Sequence, residues 1–140
     1  MATTDGIRSL LWAQLDGHQI RPRSNSDQKI FKERTKRFGI NIIQITEKLP
    51  KNRVSDILAR QIIRSATSIG ANYRAACRAK SAPDMVNKLK IVEEEADETL
   101  YWLEILQEIS PLPELLPLSK EVNELLAMTV ASIKTLRLRK

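Results

Sequence analysis

The chain has 140 residues, of which 42% are hydrophobic, 4% are aromatic and four are glycine, and its formal net charge is +6. This length predicts one domain, and the hydrophobic fraction excludes a globally disordered chain. The scarcity of aromatic residues and glycine favours a bundle of aliphatic helices over a sheet sandwich.

Residues 1–28 differ from the rest of the chain because they contain Gly6, Gly17, Pro22 and a polar run that ends at Gln28. The apolar residues of this segment at helical spacing are Ile7, Leu10, Leu11 and Leu15. We predict an extension that is mobile or weakly docked, followed by a helical domain over residues 29–140. A start-site artefact or an expression remnant is the alternative interpretation of the extension.

Four amphipathic stretches follow the extension, at about 29–49, 53–79, 82–109 and from 119 to the end. In each of them apolar residues recur at a spacing near 3.6, which is typical of a helix with one buried face. The predicted core positions are Phe31, Phe38, Ile42, Ile45, Leu49, Val54, Leu58, Ile62, Ser65, Ile69, Met85, Leu89, Val92, Ala96, Leu100, Leu103, Leu106, Val122, Leu125, Leu126, Thr129, Ile133 and Leu136.

Cap signals separate these stretches. Ser81 and Asp84 form a capping-box pattern at the start of the third helix, and Ser119 is the predicted cap of the fourth. Three prolines between residues 111 and 117 break the chain between these two helices. Because short links join neighbouring helices in opposite directions, the pattern predicts an all-α, antiparallel up-down four-helix bundle.

The segment 64–78 lies in the second predicted helix and has two contrasting faces. Its packed face has small residues and Asn72, whose amide we expect to serve structure by satisfying local backbone groups. Gly70 lies in the middle of this helical pattern, where it predicts a kink.

This segment resembles a known family. The stretches 38–45, 49–51 and 61–72, together with the acidic stretch 88–104, resemble four-helix bundle proteins encoded by intervening sequences of bacterial 23S ribosomal RNA genes. The resemblance covers about residues 29–138, and its most specific part is the signature Ser68, Ile69, Gly70 and Asn72. It departs from the family pattern at residues 73–76, where Ala75 occupies the position of a family glutamate.

The resemblance implies assembly into a barrel-like homopentamer. The accessory variability protein of diversity-generating retroelements is similar in architecture, and it is a basic pentamer that binds nucleic acid and a reverse transcriptase. For the intervening-sequence proteins themselves the resemblance implies no assigned molecular function.

A basic stripe runs along the second predicted helix. Residues 1–80 hold 16 Lys and Arg against 6 Asp and Glu, whereas residues 81–140 hold 7 against 11. The stripe and its flanks consist of Arg53, Arg60, Arg64, Arg74, Arg78 and Lys80. Clustered cations are what phosphate recognition requires, because each neutralised phosphate releases counterions.

A second interpretation of the stripe needs no nucleic acid. The same cations are equally suited to pairing with Glu93, Glu94, Asp97 and Glu104 of the acidic third helix, within one chain or between subunits. The two interpretations are an RNA- or DNA-binding accessory protein and a protein–protein interaction scaffold.

Nothing in the sequence indicates an enzyme. The only histidine, His18, lies in the extension, so the bundle has no Glu-x-x-His pair for a di-iron site and no imidazole for acid–base chemistry. Cys77 is the only cysteine, which excludes an intrachain disulfide and favours a reducing cytoplasmic setting. We therefore predict no catalytic residue, metal, cofactor, small-molecule substrate or membrane contact.

Overall fold

The structure, a computed structural model, describes residues 25–138 as four α-helices. They are α1 (Asn25–Thr46), α2 (Arg53–Cys77), α3 (Ala82–Ile109) and α4 (Leu115–Leu138), and this part of the chain contains no strand. Each helix packs against the next and α1 also contacts α4, so that the four surround one core. The predicted all-α class and the number of helices are confirmed. The division at residue 28 stays a prediction, because most of the extension lies outside the described residues.

The core is built from aliphatic side chains contributed by all four helices. Most predicted core positions are buried; Ile42, Ile62, Val92 and Val122 are fully enclosed. Val54 is an error of the sequence prediction, because its side chain is 56% exposed. It is the second residue of α2, and the buried face of that helix begins only at Ser55.

Side-chain caps explain where two of the helices begin. The side chain of Ser81 accepts a hydrogen bond from the backbone N–H of Asp84 at 3.2 Å, as the capping-box pattern predicts. Asn52 does the same for α2 by accepting from the N–H of Ser55 at 2.9 Å. Each cap satisfies one backbone donor that has no partner within its helix.

The predicted start of α4 at Ser119 is wrong. The helix begins at Leu115, and its first i to i−4 hydrogen bond runs from the N–H of Leu118 to the carbonyl of Glu114 at 3.3 Å. Pro117 lies in the first turn, where the missing N–H of proline costs no intrahelical hydrogen bond. The proline therefore belongs to the helix rather than preceding it. Likewise α1 begins at Asn25, four residues before the predicted start.

Tyr73 is the largest fully enclosed side chain of the core. Its ring lies 4.4 Å from that of Phe31, centroid to centroid, and it is 1% exposed. Its hydroxyl has no hydrogen-bond partner in the described part of the chain. Burial, and to a smaller degree the neighbouring Cys77 thiol, raises the pKa of this hydroxyl. A thiol is a weak acceptor, so the hydroxyl remains poorly compensated for its lost water.

We expect Tyr73→Phe to raise the free energy of unfolding by about 1 kcal/mol, because a buried hydroxyl without a partner costs about 1–3 kcal/mol. Urea unfolding followed by circular dichroism measures this change. Tyr101→Phe is the matched control, since Tyr101 is 55% exposed and should show no difference. A loss of stability in Tyr73→Phe would mean that the hydroxyl has a partner after all.

Candidate interaction surface on α2

The basic stripe faces away from the core. Ile62, Ser65 and Ile69 are buried on one side of α2, whereas Arg60 and Arg64 lie on the opposite side, exposed. All six predicted site residues are exposed in the structure; they are Arg53, Arg60, Arg64, Arg74, Arg78 and Lys80. The first five lie on α2, and Lys80 lies in the link to α3.

Arg64 is the member of the stripe that an intrachain contact occupies. Its guanidinium pairs with Glu95 at 3.2 Å and with Glu98 on α3. The hydrogen bond to Glu98 raises the pKa of Arg64. The same bond, together with one from the indole N–H of Trp102 at 3.0 Å, lowers the pKa of Glu98.

The acidic partners of Arg64 differ from those predicted. The sequence interpretation named Glu93, Glu94, Asp97 and Glu104, and none of them pairs with a stripe residue among residues 25–138. The register between the helices explains the choice. Thr99 donates a 2.8 Å hydrogen bond to the buried Ser65, so the carboxylates adjoining Thr99 meet the arginine adjoining Ser65.

The other five cations form no salt bridge with any acid of the described range. Only the backbone N–H of Lys80 is engaged, by a 3.0 Å hydrogen bond to Asp84. Their charged groups are therefore exposed and without a carboxylate partner there. This free set consists of Arg53, Arg60, Arg74, Arg78 and Lys80, and we call it the free basic set.

The signature residues of α2 have structural surroundings. The Ser68 hydroxyl donates to the carbonyl of Arg64 at 2.7 Å, and the Asn72 amide donates to the carbonyl of Ser68 at 2.8 Å. Ile69 is fully buried. Asn72 is only half-buried, and the hydrogen bond that its amide donates lies within its own helix.

Gly70 allows α1 and α2 to approach closely. A Cβ at this position would lie 3.1 Å from the Thr35 hydroxyl oxygen, which is tighter than ordinary contact. The α2 helix continues without interruption through Gly70. The glycine thus has a packing reason, and the predicted kink is not needed to explain it.

A shallow groove between α1 and α2 adjoins the stripe, and sequence reasoning missed it. It has a volume of about 490 Å³ and is lined mostly by apolar and small residues, namely Thr35, Lys36, Gly39, Ile40, Ile43, Thr67, Gly70, Ala71 and Arg74. Lys36 and Arg74 bring basic charge to its edges. The available signal was the pair Gly39 and Gly70, because glycine inside a helix often marks close backbone approach.

Cys77 lies at the end of α2, half-buried and reduced. Burial raises the pKa of its thiol, although the Tyr73 hydroxyl and the cations Lys32, Arg78 and Arg74 act in the opposite direction. Nucleophilic cysteines require a lowered pKa. The thiol is therefore a packing group, as its place between Ala76 and Arg78 in the sequence indicates.

Two further findings concern ligands and membranes. Residues 25–138 contain no group of three or more His, Cys, Asp or Glu side chains that could hold a metal ion. Over the same range no helix combines the length and apolarity needed to cross a bilayer.

Comparison with known proteins places the chain in a family. Residues 27–131 match the family described as 23S rRNA-intervening sequence protein. One similar solved structure is a protein of unknown function from the S23 ribosomal protein family of Bacteroides thetaiotaomicron. It is 33% identical, with a TM-score of 0.71, and the match covers 77% of this chain and 98% of that one. A search of curated proteins finds no match. The match over residues 27–131, far more than half of the chain, means that this protein belongs to the 23S rRNA-intervening sequence protein family.

Proposed function

We propose that this protein is a non-enzymatic, self-assembling accessory protein whose basic α2 surface binds the phosphate backbone of RNA or DNA. The observation that carries the proposal is the free basic set, whose five cations are exposed and make no salt bridge to any acid between residues 25 and 138. Cations that no carboxylate neutralises are available to replace the counterions of a polyanion.

The arrangement of the cations favours backbone contacts over base recognition. Arg53 and Arg78 stand 25 residues apart on one face of a helix, a distance of about 37 Å at 1.5 Å per residue. Such a row can follow several successive phosphates. Tyr73, the aromatic residue nearest the stripe in sequence, is buried in the core and offers no ring for base stacking. We therefore expect binding with little sequence preference.

The proposed assembly is a homopentamer of antiparallel up-down bundles. The antiparallel order is supported by the ion pair between Lys48, just after α1, and Glu114, just before α4. The family resemblance supports the pentamer. Light scattering on the purified protein tests it, because a pentamer has five times the 16.0 kDa mass of one chain.

Removing three cations of the free basic set tests nucleic-acid binding. We expect the triple variant Arg60→Gln, Arg74→Gln, Arg78→Gln to weaken binding to labelled single-stranded RNA. The slope of log K against log salt should become shallower by about 2 units, since each lost phosphate contact removes about 0.7. Arg64 is left intact because its contacts with Glu95 and Glu98 join α2 to α3.

The matched control removes the same charge from another helix. Lys120, Lys134 and Arg137 are exposed on α4, and their triple replacement with Gln lowers the net charge equally. Equal losses of affinity in both triple variants would contradict a specific role for α2. RNA binding by neither variant nor wild type at low salt would refute nucleic-acid binding altogether.

The alternative function is a protein–protein scaffold without nucleic acid, in which basic and acidic helices of neighbouring subunits pair. The contact of Arg64 with α3 favours it, because α2 and α3 already attract each other within one chain. Exposed Glu94, Asp97 and Glu104 form no salt bridge with described residues and would supply the neighbour's acids. If the first triple variant loses its oligomeric mass in light scattering, the cations serve assembly and not RNA.

A further inference from the structure

The groove between α1 and α2 is an apolar surface without an occupant among the described residues. Ile43 is 41% exposed there, and Ala71 and Thr67 are exposed on the opposite wall. Gly39 and Gly70 lower the floor because they carry no side chain beyond Cα. Exposed apolar surface of this kind usually marks an interaction site.

We propose that residues 7–15 of the same chain, Ile7 to Leu15, dock in this groove as a short amphipathic segment. This segment precedes α1 and carries apolar residues at helical spacing, namely Ile7, Leu10, Leu11 and Leu15. As a helix its nine residues would span about 12–13 Å. The groove wall from Thr35 to Ile43 on α1 has a matching length of about 12 Å.

The linker is long enough to bring the segment to the groove. Residues 16–24 separate the segment from Asn25 and span at most about 30 Å when extended. Gly39, near the middle of the groove, lies 14 residues into α1 and therefore about 21 Å from its start. The linker also contains Gly17 and Pro22, residue types that favour turns, so that the chain can fold back along α1.

Charge and tethering both favour this occupant. Residues 5–16 carry Asp5 and Asp16 against one Arg8, whereas Lys36 and Arg74 lie at the edges of the groove. A short flexible tether gives an effective concentration on the order of millimolar. At micromolar protein concentrations the attached segment therefore outcompetes the same segment of another molecule. The inference does not depend on nucleic-acid binding.

Disulfide trapping tests the contact. The full chain with Cys77→Ser, Leu11→Cys and Ala71→Cys is exposed to mild oxidant and separated on a non-reducing gel. We expect an intrachain crosslink at a yield at least tenfold above the control pair Leu11→Cys with Asn123→Cys, where Asn123 is exposed on α4. Adding Leu10→Asp and Leu15→Asp to the first pair should reduce the yield to the control level, because apolar burial drives docking.

Each other outcome overturns the proposal. A crosslink that joins two chains would assign the groove to the segment of a second copy. A yield no higher than that of the Asn123 pair would mean that the segment does not occupy the groove. A yield that survives the two aspartates would show that proximity alone, and not the apolar face of the segment, produces the crosslink.

Discussion

Replacing Arg34 with methionine is expected to lower the free energy of unfolding by about 2 kcal/mol. Arg34 on α1 donates two hydrogen bonds to Glu121, at 2.9 and 2.6 Å, and one to Glu124 at 2.8 Å, both on α4. Burial lowers the pKa of Arg34, but the two carboxylates outweigh it and the pKa is raised. Loss of the guanidinium leaves two half-buried carboxylates side by side. The expected cost lies between the values for exposed and fully buried pairs.

Urea unfolding of three variants separates this network from an ordinary surface ion pair. Adding Glu121→Gln and Glu124→Gln to Arg34→Met should restore more than half of the lost stability, because the uncompensated charges are gone. Lys88→Met is the control, since Lys88 makes only an i,i+4 pair with Asp84 at 2.8 Å and should cost about 0.5 kcal/mol or less. Equal effects of Arg34→Met and Lys88→Met would contradict a special role for the network.

Gly70→Leu is expected to destabilise the bundle by about 3 kcal/mol, the upper part of the usual range for overpacking. Even a Cβ at Gly70 would lie 3.1 Å from the Thr35 hydroxyl oxygen and 3.5 Å from the Thr35 carbonyl carbon. A leucine side chain therefore requires α1 and α2 to separate. Thermal or urea unfolding measures the loss.

The neighbouring position supplies the control for Gly70→Leu. Ala71→Leu introduces the same side chain one residue later, where the helix surface is exposed, and should change stability by no more than about 0.5 kcal/mol. If the two variants were equally stable, the close approach of Thr35 and Gly70 would not be a rigid contact of the fold.

The helices and most of the core were predictable because they depend on local periodicity. Phe38, Ile42 and Ile45 recur at the helical spacing and are all buried. The exceptions lie at helix ends. Val54 has the right spacing but no neighbouring helix to cover it, and Ser119 has the right chemistry for a cap although Pro117 already fits the first turn of α4.

The candidate surface was predictable only in part. Arginine spacing on α2 was sufficient to predict an exposed row, because the opposite face is apolar and must be buried. It was not sufficient to identify Arg64 as the residue that pairs with α3, nor to find Lys36 beside Arg74. Both depend on how one helix is aligned with another, which periodicity within a helix does not contain.

The sequence by itself determined the helical class, the buried stripes, the exposure of the arginines on α2 and the family resemblance. Only the tertiary structure decided the partners: Glu95 and Glu98 for Arg64, Glu121 and Glu124 for Arg34, and Thr35 for Gly70. The physical reason is that a repeat of 3.6 residues fixes which side of a helix faces the core. Which residues meet across a helix pair depends on axial register, and here contacts such as the hydrogen bond from Thr99 to Ser65 accompany that register.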